Sequence, residues 1–131
     1  MKALLFALLL AAPVAHCQLP ALPDSVPTVL GYARVELVPD LQCSGSEAYG
    51  CYNTTTRIIQ VRSGMALIVA WQTLYHELGH ANLHDAGVWL PADVENRIVD
   101  ALAVARLAFM LEVMRVERDR LTRPAPRPGK R

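Results

Sequence analysis

The sequence has no hydrophobic run long enough to cross a membrane as a stable helix. The longest run, from Ala3 to Ala12, has ten residues, whereas a spanning helix needs about 18 or more. The sequence also has no internal repeat, and its 131 residues suffice for one packed core. We therefore expect a single domain with no transmembrane segment in the mature chain.

The first 17 residues have the layout of a secretory signal peptide. Lys2 precedes the apolar run, and Pro13 and small residues follow it. Cleavage after Ala15 or after Cys17 would fit this layout. A lipoprotein acylated at Cys17 is less expected, because His16 occupies a position where lipoprotein signals have a small residue. The sequence thus predicts a secreted or periplasmic protein.

Cysteine is scarce, since the chain has only three and Cys17 falls in the leader. Cys43 and Cys51 remain, and the seven residues between them include two glycines. In an oxidising compartment such a pair is expected to form a disulfide. We therefore predict one disulfide that closes a short loop.

Charge is unevenly distributed, although its formal sum is only +1. Residues 18–114 carry five Arg against ten Asp and Glu, whereas residues 115–131 carry seven Arg and Lys against two acidic residues. Residues 121–131 also contain three prolines, which predicts a basic, disordered tail. A solvated end is the commoner outcome for such a tail, so no specific nucleic-acid partner is expected.

Local patterns predict an α+β domain over residues 31–120. Residues 18–30 contain three prolines and are assigned to a linker, because proline removes backbone donors. Residues 31–38 alternate apolar and polar side chains, and residues 54–62 are rich in β-branched side chains. Both patterns are typical of strands.

Two helices are predicted after the strands. The first covers residues 65–84, with Ser63 as its N-cap and Gly87 as its stop. The second starts near Pro91 and continues at helical apolar spacing to about Glu117. The expected architecture is a short antiparallel sheet packed on the first helix, plus the second long helix.

The segment H-E-L-G-H at residues 76–80 carries the chemistry. His76 and His80 are four apart, so on a helix they lie one turn above each other and can bind one ion. Glu77 lies about 100° around the helix, within reach of a water in the ion's open position. Zinc suits such ligands and lowers the pKa of its bound water, and Glu77 would take that water's proton. Gly79 would let another element approach closely.

The longer segment H-E-L-G-H-A-N-L-H resembles the zincin metallopeptidases, and it is locally similar to the ImmA/IrrE-type branch, where H-E-L-G-H is followed by L-H. The similarity covers the motif helix, the strand before it and the helix after it. It implies Zn²⁺ as the cofactor and a peptide or protein as the substrate. It also implies a strand along the substrate cleft, here residues 57–61, with the peptide backbone beside it.

The third metal ligand has two candidates on the second helix, Glu95 and Asp100, which lie 15 and 20 residues beyond His80. Being five apart, they point about 140° from each other, so only one is expected to face the metal. The resemblance favours Glu95, since Glu is the commoner third ligand in these enzymes, while the spacing of Asp100 is similar to that in thermolysin-like enzymes. His84 lies two helical turns from His76, too far for a shared ion.

The expected function is zinc-dependent hydrolysis of a peptide bond by metal-activated water, with Glu77 as general base. Tyr49, Tyr52 and Tyr75 are candidate donors to the oxyanion, although packing is the commoner role for a tyrosine. The alternative functions are a zinc-binding module without catalysis and a protein-interaction module that acts through the basic tail.

Overall fold

The computed structural model describes residues 18–123. The predicted signal peptide and residues 124–131 of the predicted tail lie outside this range. In the described part, six strands precede two helices. The strands are β1 Ser25–Thr28, β2 Gly31–Val38, β3 Gln42–Cys43, β4 Ser46–Glu47, β5 Gly50–Asn53 and β6 Ile58–Arg62, and the helices are α1 Leu67–Asp85 and α2 Ala92–Thr122. The predicted α+β class is confirmed.

The main sheet is mixed, with the strand order β1-β2-β6-β5. β1 and β5 each pair antiparallel with their neighbours, whereas β2 and β6 are parallel, with Arg34 opposite Ile58 and Val38 opposite Arg62. The prediction of an antiparallel sheet is therefore wrong for its central pair. The cause lies in the cysteine-bounded segment, which forms the β3–β4 hairpin and β5. The chain consequently reverses again before β6, which then runs in the direction of β2.

The segment assigned to a linker belongs to the domain. Residues 25–28 form β1 at the edge of the sheet, and Val26 is buried. Pro20 accepts a hydrogen bond of 2.7 Å from the indole Nε1 of Trp71. Prolines are compatible with an edge strand because its outer face needs no backbone donors, so the proline content of residues 18–30 did not exclude a strand.

The core lies between the sheet and α1. Its strand side chains come mainly from β6, where Ile59 and Val61 point to the same face because strand side chains alternate. The helix side chains repeat at helical spacing along one face of α1. Together the buried cluster comprises Val26, Ala33, Ile59, Val61, Ala70, Trp71, Leu74, Leu78 and Leu107. This packing fixes the rotation of α1 and hence the direction in which its motif side chains point.

Only the C-terminal end of α1 agrees with the prediction. The helix begins after Ala66, without a side-chain cap, so the prediction of Ser63 as N-cap is wrong. At the other end Gly87 has a φ of +68°, and its N–H donates to the His84 carbonyl while that of Val88 donates to Leu83. A left-handed glycine after the last turn is a common helix stop, as predicted.

The second helix is longer than expected and packs closely on the first. It has 31 residues, a length of about 46 Å, and it passes Glu117, where the prediction ended it. Gly79 allows the close packing, because a Cβ at this position would lie 2.8 Å from Cβ and Cγ1 of Val99. The predicted role of Gly79 is confirmed. Neither helix in residues 18–123 combines the length and apolar character that crossing a membrane requires.

Candidate metal centre

The two motif histidines converge on one point. His76 and His80 lie on successive turns of α1, and their Nε2 atoms are 3.0 Å apart. Two imidazoles that bind one tetrahedral zinc at about 2.0–2.1 Å have their nitrogens about 3.3 Å apart. The pair is therefore arranged, to within a few tenths of an ångström, as two ligands of one small cation.

Both candidate carboxylates of α2 contact this pair. Asp100 Oδ1 lies 2.8 Å from Nδ1 of His76, and Glu95 Oε1 lies 2.6 Å from Nδ1 of His80. The two helices run antiparallel, so one carboxylate meets each ring on either side of the Gly79 contact. Which carboxylate faces a metal therefore stays a prediction, but the helices approach so closely that side chains on both flanks of α2 can reach α1.

Neither carboxylate lies between the two Nε2 atoms. Each accepts from the far side of its ring, the position from which carboxylates commonly orient metal-binding histidines. Within residues 18–123, no three His, Cys, Asp or Glu side chains are placed to hold a metal ion together. Glu95 lines the cavity that contains both histidines, whereas Asp100 is 67% exposed and lines a different cavity. Glu95 is thus the better placed of the two to turn towards the ion.

Glu77 is buried beneath the edge strand β5, with only 8% of its surface exposed. Burial raises its pKa to about 7, against smaller opposing effects of His76 and of the Tyr52 backbone N–H, which hydrogen-bonds to the carboxylate. The close approach depends on Gly50, because a Cβ there would lie 2.6 Å from Glu77 Oε1 and 2.7 Å from the Thr73 methyl group. The absence of a side chain at Gly50 therefore lets β5 lie directly on the motif helix.

Two cavities meet at His76 and Glu77. One, of about 410 Å³, extends past His80 towards the α1–α2 loop. The other, of about 430 Å³, extends past Thr73 towards the start of α1. Gly50 lines both, so β5 runs along the whole cleft.

The strand beside the cleft is β5 and not the predicted segment 57–61. That segment is mostly β6, which is paired on both sides, with β2 and with β5, and cannot accept another strand. Among the strands of residues 18–123, β5 is paired only with β6. Tyr49 and Asn53 direct their carbonyls towards the β6 side, so Gly50 and Tyr52 direct theirs away from it. The resemblance had implied a cleft strand, but the topology moves it one strand outwards.

The predicted disulfide is present between Cys43 and Cys51. Cys51 lies in β5, and Cys43 is among the residues that line the cavity containing both histidines. The bond therefore holds the edge strand at the site as well as closing the loop.

Three aromatic rings line the cavity towards the α1–α2 loop. His84 packs edge-on against Tyr52, with centroids 6.3 Å apart, and against Trp89, with centroids 5.6 Å apart. Trp89 is 79% exposed. The Tyr52 hydroxyl and Nδ1 of His84 are buried without a hydrogen-bond partner among the described residues. His84 thus shares the cavity without joining the Nε2 pair, as its spacing predicted.

The other tyrosines considered for the oxyanion have different environments. Tyr75 packs against Trp71, with centroids 5.4 Å apart, and its hydroxyl contacts Met110 Sδ at 3.4 Å. Tyr49 is exposed and lines the cavity towards the start of α1. The roles of Gly50 and Trp89 were missed by sequence reasoning. A tryptophan between the helix-stopping Gly87 and Pro91 was a usable signal, but nothing local marks Gly50.

An ion pair anchors the end of α1 next to the cleft. The side chain of Asp85 is fully buried and accepts two bonds from Arg57, of 2.7 and 2.9 Å. Asp85 also accepts from the Leu30 N–H at 3.0 Å. The bonds from Arg57, with further ones from Thr28 and Leu30, hold the pKa of Asp85 well below its usual range. The pair ties the β1–β2 turn and the β5–β6 turn to the motif helix.

Comparison of the chain with protein-family models, with curated proteins and with solved structures finds no match. The likeness of H-E-L-G-H-A-N-L-H to the zincins therefore remains a local resemblance.

Proposed function

We propose that this protein is a zinc-dependent peptidase. The observation that carries the proposal is the convergence of the Nε2 atoms of His76 and His80, 3.0 Å apart, beside a buried Glu77 in a cleft with an open strand edge. Two imidazoles and a carboxylate are donors that zinc favours, and a cleft beside a strand edge suits an extended peptide. Each part has a distinct role in the hydrolysis of a peptide bond.

We assign the metal to His76, His80 and Glu95. The imidazoles supply Nε2, and Glu95 becomes the third ligand by turning from Nδ1 of His80 into the cavity that it already lines. Asp100 stays on Nδ1 of His76 and fixes the orientation of that ring. Zinc in such a site polarises a bound water and makes it a nucleophile near neutral pH.

Glu77 acts as the proton carrier. Its carboxylate lies one residue after the first histidine and at the floor of both cavities, where it can accept the proton of the attacking water and pass it to the leaving amine. The backbone N–H of Tyr52 holds the carboxylate in place. The outward carbonyls of Gly50 and Tyr52 are available to a peptide strand, as in other cases of strand addition.

The decisive experiment measures zinc and peptidase activity in the same preparations. We expect one zinc per chain, lost in His76→Ala and in His80→Ala, and kept in Glu77→Gln with activity reduced at least a hundredfold. His84→Ala is the matched control, because His84 lines the same cavity outside the Nε2 pair, and it should keep the zinc. Equal zinc in all variants, or loss of zinc only in the control, would refute the site.

A second experiment separates the two carboxylates. A lost third ligand removes a coordinate bond, whereas a lost outer partner typically costs 10–100-fold in metal affinity. We therefore expect Glu95→Gln to weaken zinc binding by more than a hundredfold and Asp100→Asn by less. Equal modest effects would mean that both carboxylates only orient the histidines.

A zinc-binding module without turnover is the second candidate. It would use the same Nε2 pair of His76 and His80 as the peptidase and would differ only in the absence of turnover. Zinc retained in the wild-type protein, with no hydrolysis of any peptide in a mixed-sequence library, would select this candidate over the peptidase.

A further inference from the structure

We propose that the cavity between β5 and the α1–α2 loop is a specificity pocket for a large aromatic or apolar side chain of the peptide, with Trp89 as its main contact. The inference rests on the proposed function for the identity of the ligand as a peptide. Its own evidence is the composition and position of this cavity.

The part of the cavity towards the loop is apolar and aromatic, whereas the motif residues, Thr54, Glu95 and Asn96 line the rest. Tyr52 forms the side from β5, His84 the side from α1, and Val88 and Trp89 the side from the loop. Trp89 is the largest residue among them and is 79% exposed, with its indole held edge-on against His84. An exposed indole packed on one edge presents its remaining surface to a ligand, and tryptophan is among the residues that contribute most when buried by a partner.

The position of the pocket relates it to the site of cleavage. His80 and Glu95 line the same cavity as Trp89, so a side chain in the pocket belongs to a residue close to the reacting bond. The register of β5 supports this, because its outward backbone groups are on Gly50 and Tyr52. The residue of a bound peptide that lies opposite Gly50 is at Glu77. The residue two positions further along the same peptide lies beside Tyr52. The pocket therefore receives a side chain within two residues of the cleaved bond.

The charge of the pocket excludes one class of side chain. Among the described residues that line it, the only formally charged groups apart from the histidines are the carboxylates of Glu77 and Glu95. In the metal-free protein an acidic side chain would be repelled by these groups, and it would lose hydration against the indole without gaining a partner. We thus expect the preference to run from Phe, Tyr or Leu at the top to Asp and Glu at the bottom.

The test uses metal-free protein, so that it does not depend on hydrolysis. Binding of Ac-Ala-Phe-Ala-amide, Ac-Ala-Ala-Ala-amide and Ac-Ala-Glu-Ala-amide is measured by calorimetry and by tryptophan emission. The chain has two tryptophans, and Trp71 is buried, so a blue shift on binding reports Trp89. We expect the Phe peptide to bind at least tenfold more tightly than the other two and to shift the emission.

Trp89→Ala should remove that tenfold preference. Because Trp89 is so exposed, the variant should keep the wild-type melting temperature, and Val88→Ser provides a second, milder change in the same wall. Phe109→Ala is the matched control, since Phe109 is 72% exposed on α2 and is not among the residues that line the pocket. It should leave binding unchanged.

The outcomes for the pocket and for the peptidase are separable. If Trp89→Ala weakens binding of all three peptides equally, or if Phe109→Ala has the larger effect, the pocket is refuted even when zinc and hydrolysis are found. If Trp89→Ala abolishes the preference but no preparation binds zinc or hydrolyses peptide, the pocket stands and the peptidase fails. In the zinc-loaded enzyme, aromatic residues should be enriched within two positions of the cleaved bonds.

Discussion

The burial of Glu77 predicts a change in stability with pH that can be measured without substrate. In the folded, metal-free protein the pKa of Glu77 is raised from 4.5 to about 7 by burial. Below pH 4.5 the carboxyl is protonated in both the folded and the unfolded chain. Between pH 4.5 and 7 only the unfolded chain releases the proton, so rising pH favours unfolding. Above pH 7 this loss of folding stability is complete.

The magnitude follows from the two pKa values. Their difference, at about 1.4 kcal/mol per pH unit, corresponds to about 3 kcal/mol of unfolding free energy. Glu77→Gln has no proton to release, and its side-chain oxygen can still accept from the Tyr52 N–H. Relative to wild type, the variant should therefore gain about 3 kcal/mol between pH 4.5 and pH 8.

The assay is urea unfolding of EDTA-treated protein at several pH values from 4.5 to 8, with the difference between variant and wild type plotted against pH. Glu117→Gln, on the distal part of α2, corrects for the loss of one carboxyl from the chain. A difference that stays constant across this range would show that Glu77 is not buried as described. A difference of opposite slope would mean that a cation stabilises its charged form even after EDTA.

Three further predictions concern the framework of the site. Gly79→Ala should destabilise the protein by about 1–3 kcal/mol in chemical denaturation and weaken zinc binding, because the new methyl group would push α2 and its carboxylates away. Unchanged zinc affinity would contradict the close packing of the two helices. Reducing the Cys43–Cys51 bond should lower the unfolding free energy by about 2–3 kcal/mol, because the unfolded chain regains the entropy that the short loop had lost. It should also lower activity, since β5 loses its anchor. A variant with serine at both positions and full activity would refute this. Asp85→Asn should be less stable than wild type at pH 7 and should lose less stability on acidification. The depressed pKa of Asp85 stabilises the wild-type fold above the unfolded pKa near 4, and this stabilisation is lost as the pH falls. Melting temperatures of the two proteins that run parallel from pH 7 to pH 2 would contradict the prediction.

The local parts of the structure could be predicted from the sequence. The motif helix, its stop at Gly87 and the disulfide follow from patterns within a few residues of each other. The convergence of His76 and His80 follows likewise from helical periodicity.

The parts that could not be predicted depend on contacts between distant segments. β1 was missed because the prolines of residues 18–30 indicate a linker until a neighbouring strand is known. The parallel pairing of β2 with β6 depends on the extra reversals inside the cysteine loop. Both Glu95 and Asp100 reach the histidines only because Gly79 allows α2 to approach α1 closely. The angle between two residues five apart on one helix gives no information about the distance between the two helices.

The carboxylates on the far side of the two imidazoles have a consequence for metal uptake. A carboxylate close to each Nδ1 favours the tautomer with its hydrogen on Nδ1, and this tautomer leaves a lone pair on each of the two Nε2 atoms, which are 3.0 Å apart. Two lone pairs repel at that separation, so the arrangement is favourable only with a positive charge between them. Zinc bound at the proposed site would supply that charge. The metal would thus relieve a repulsion that the fold itself sets up, so zinc added to the purified protein should raise its melting temperature as well as fill the proposed site.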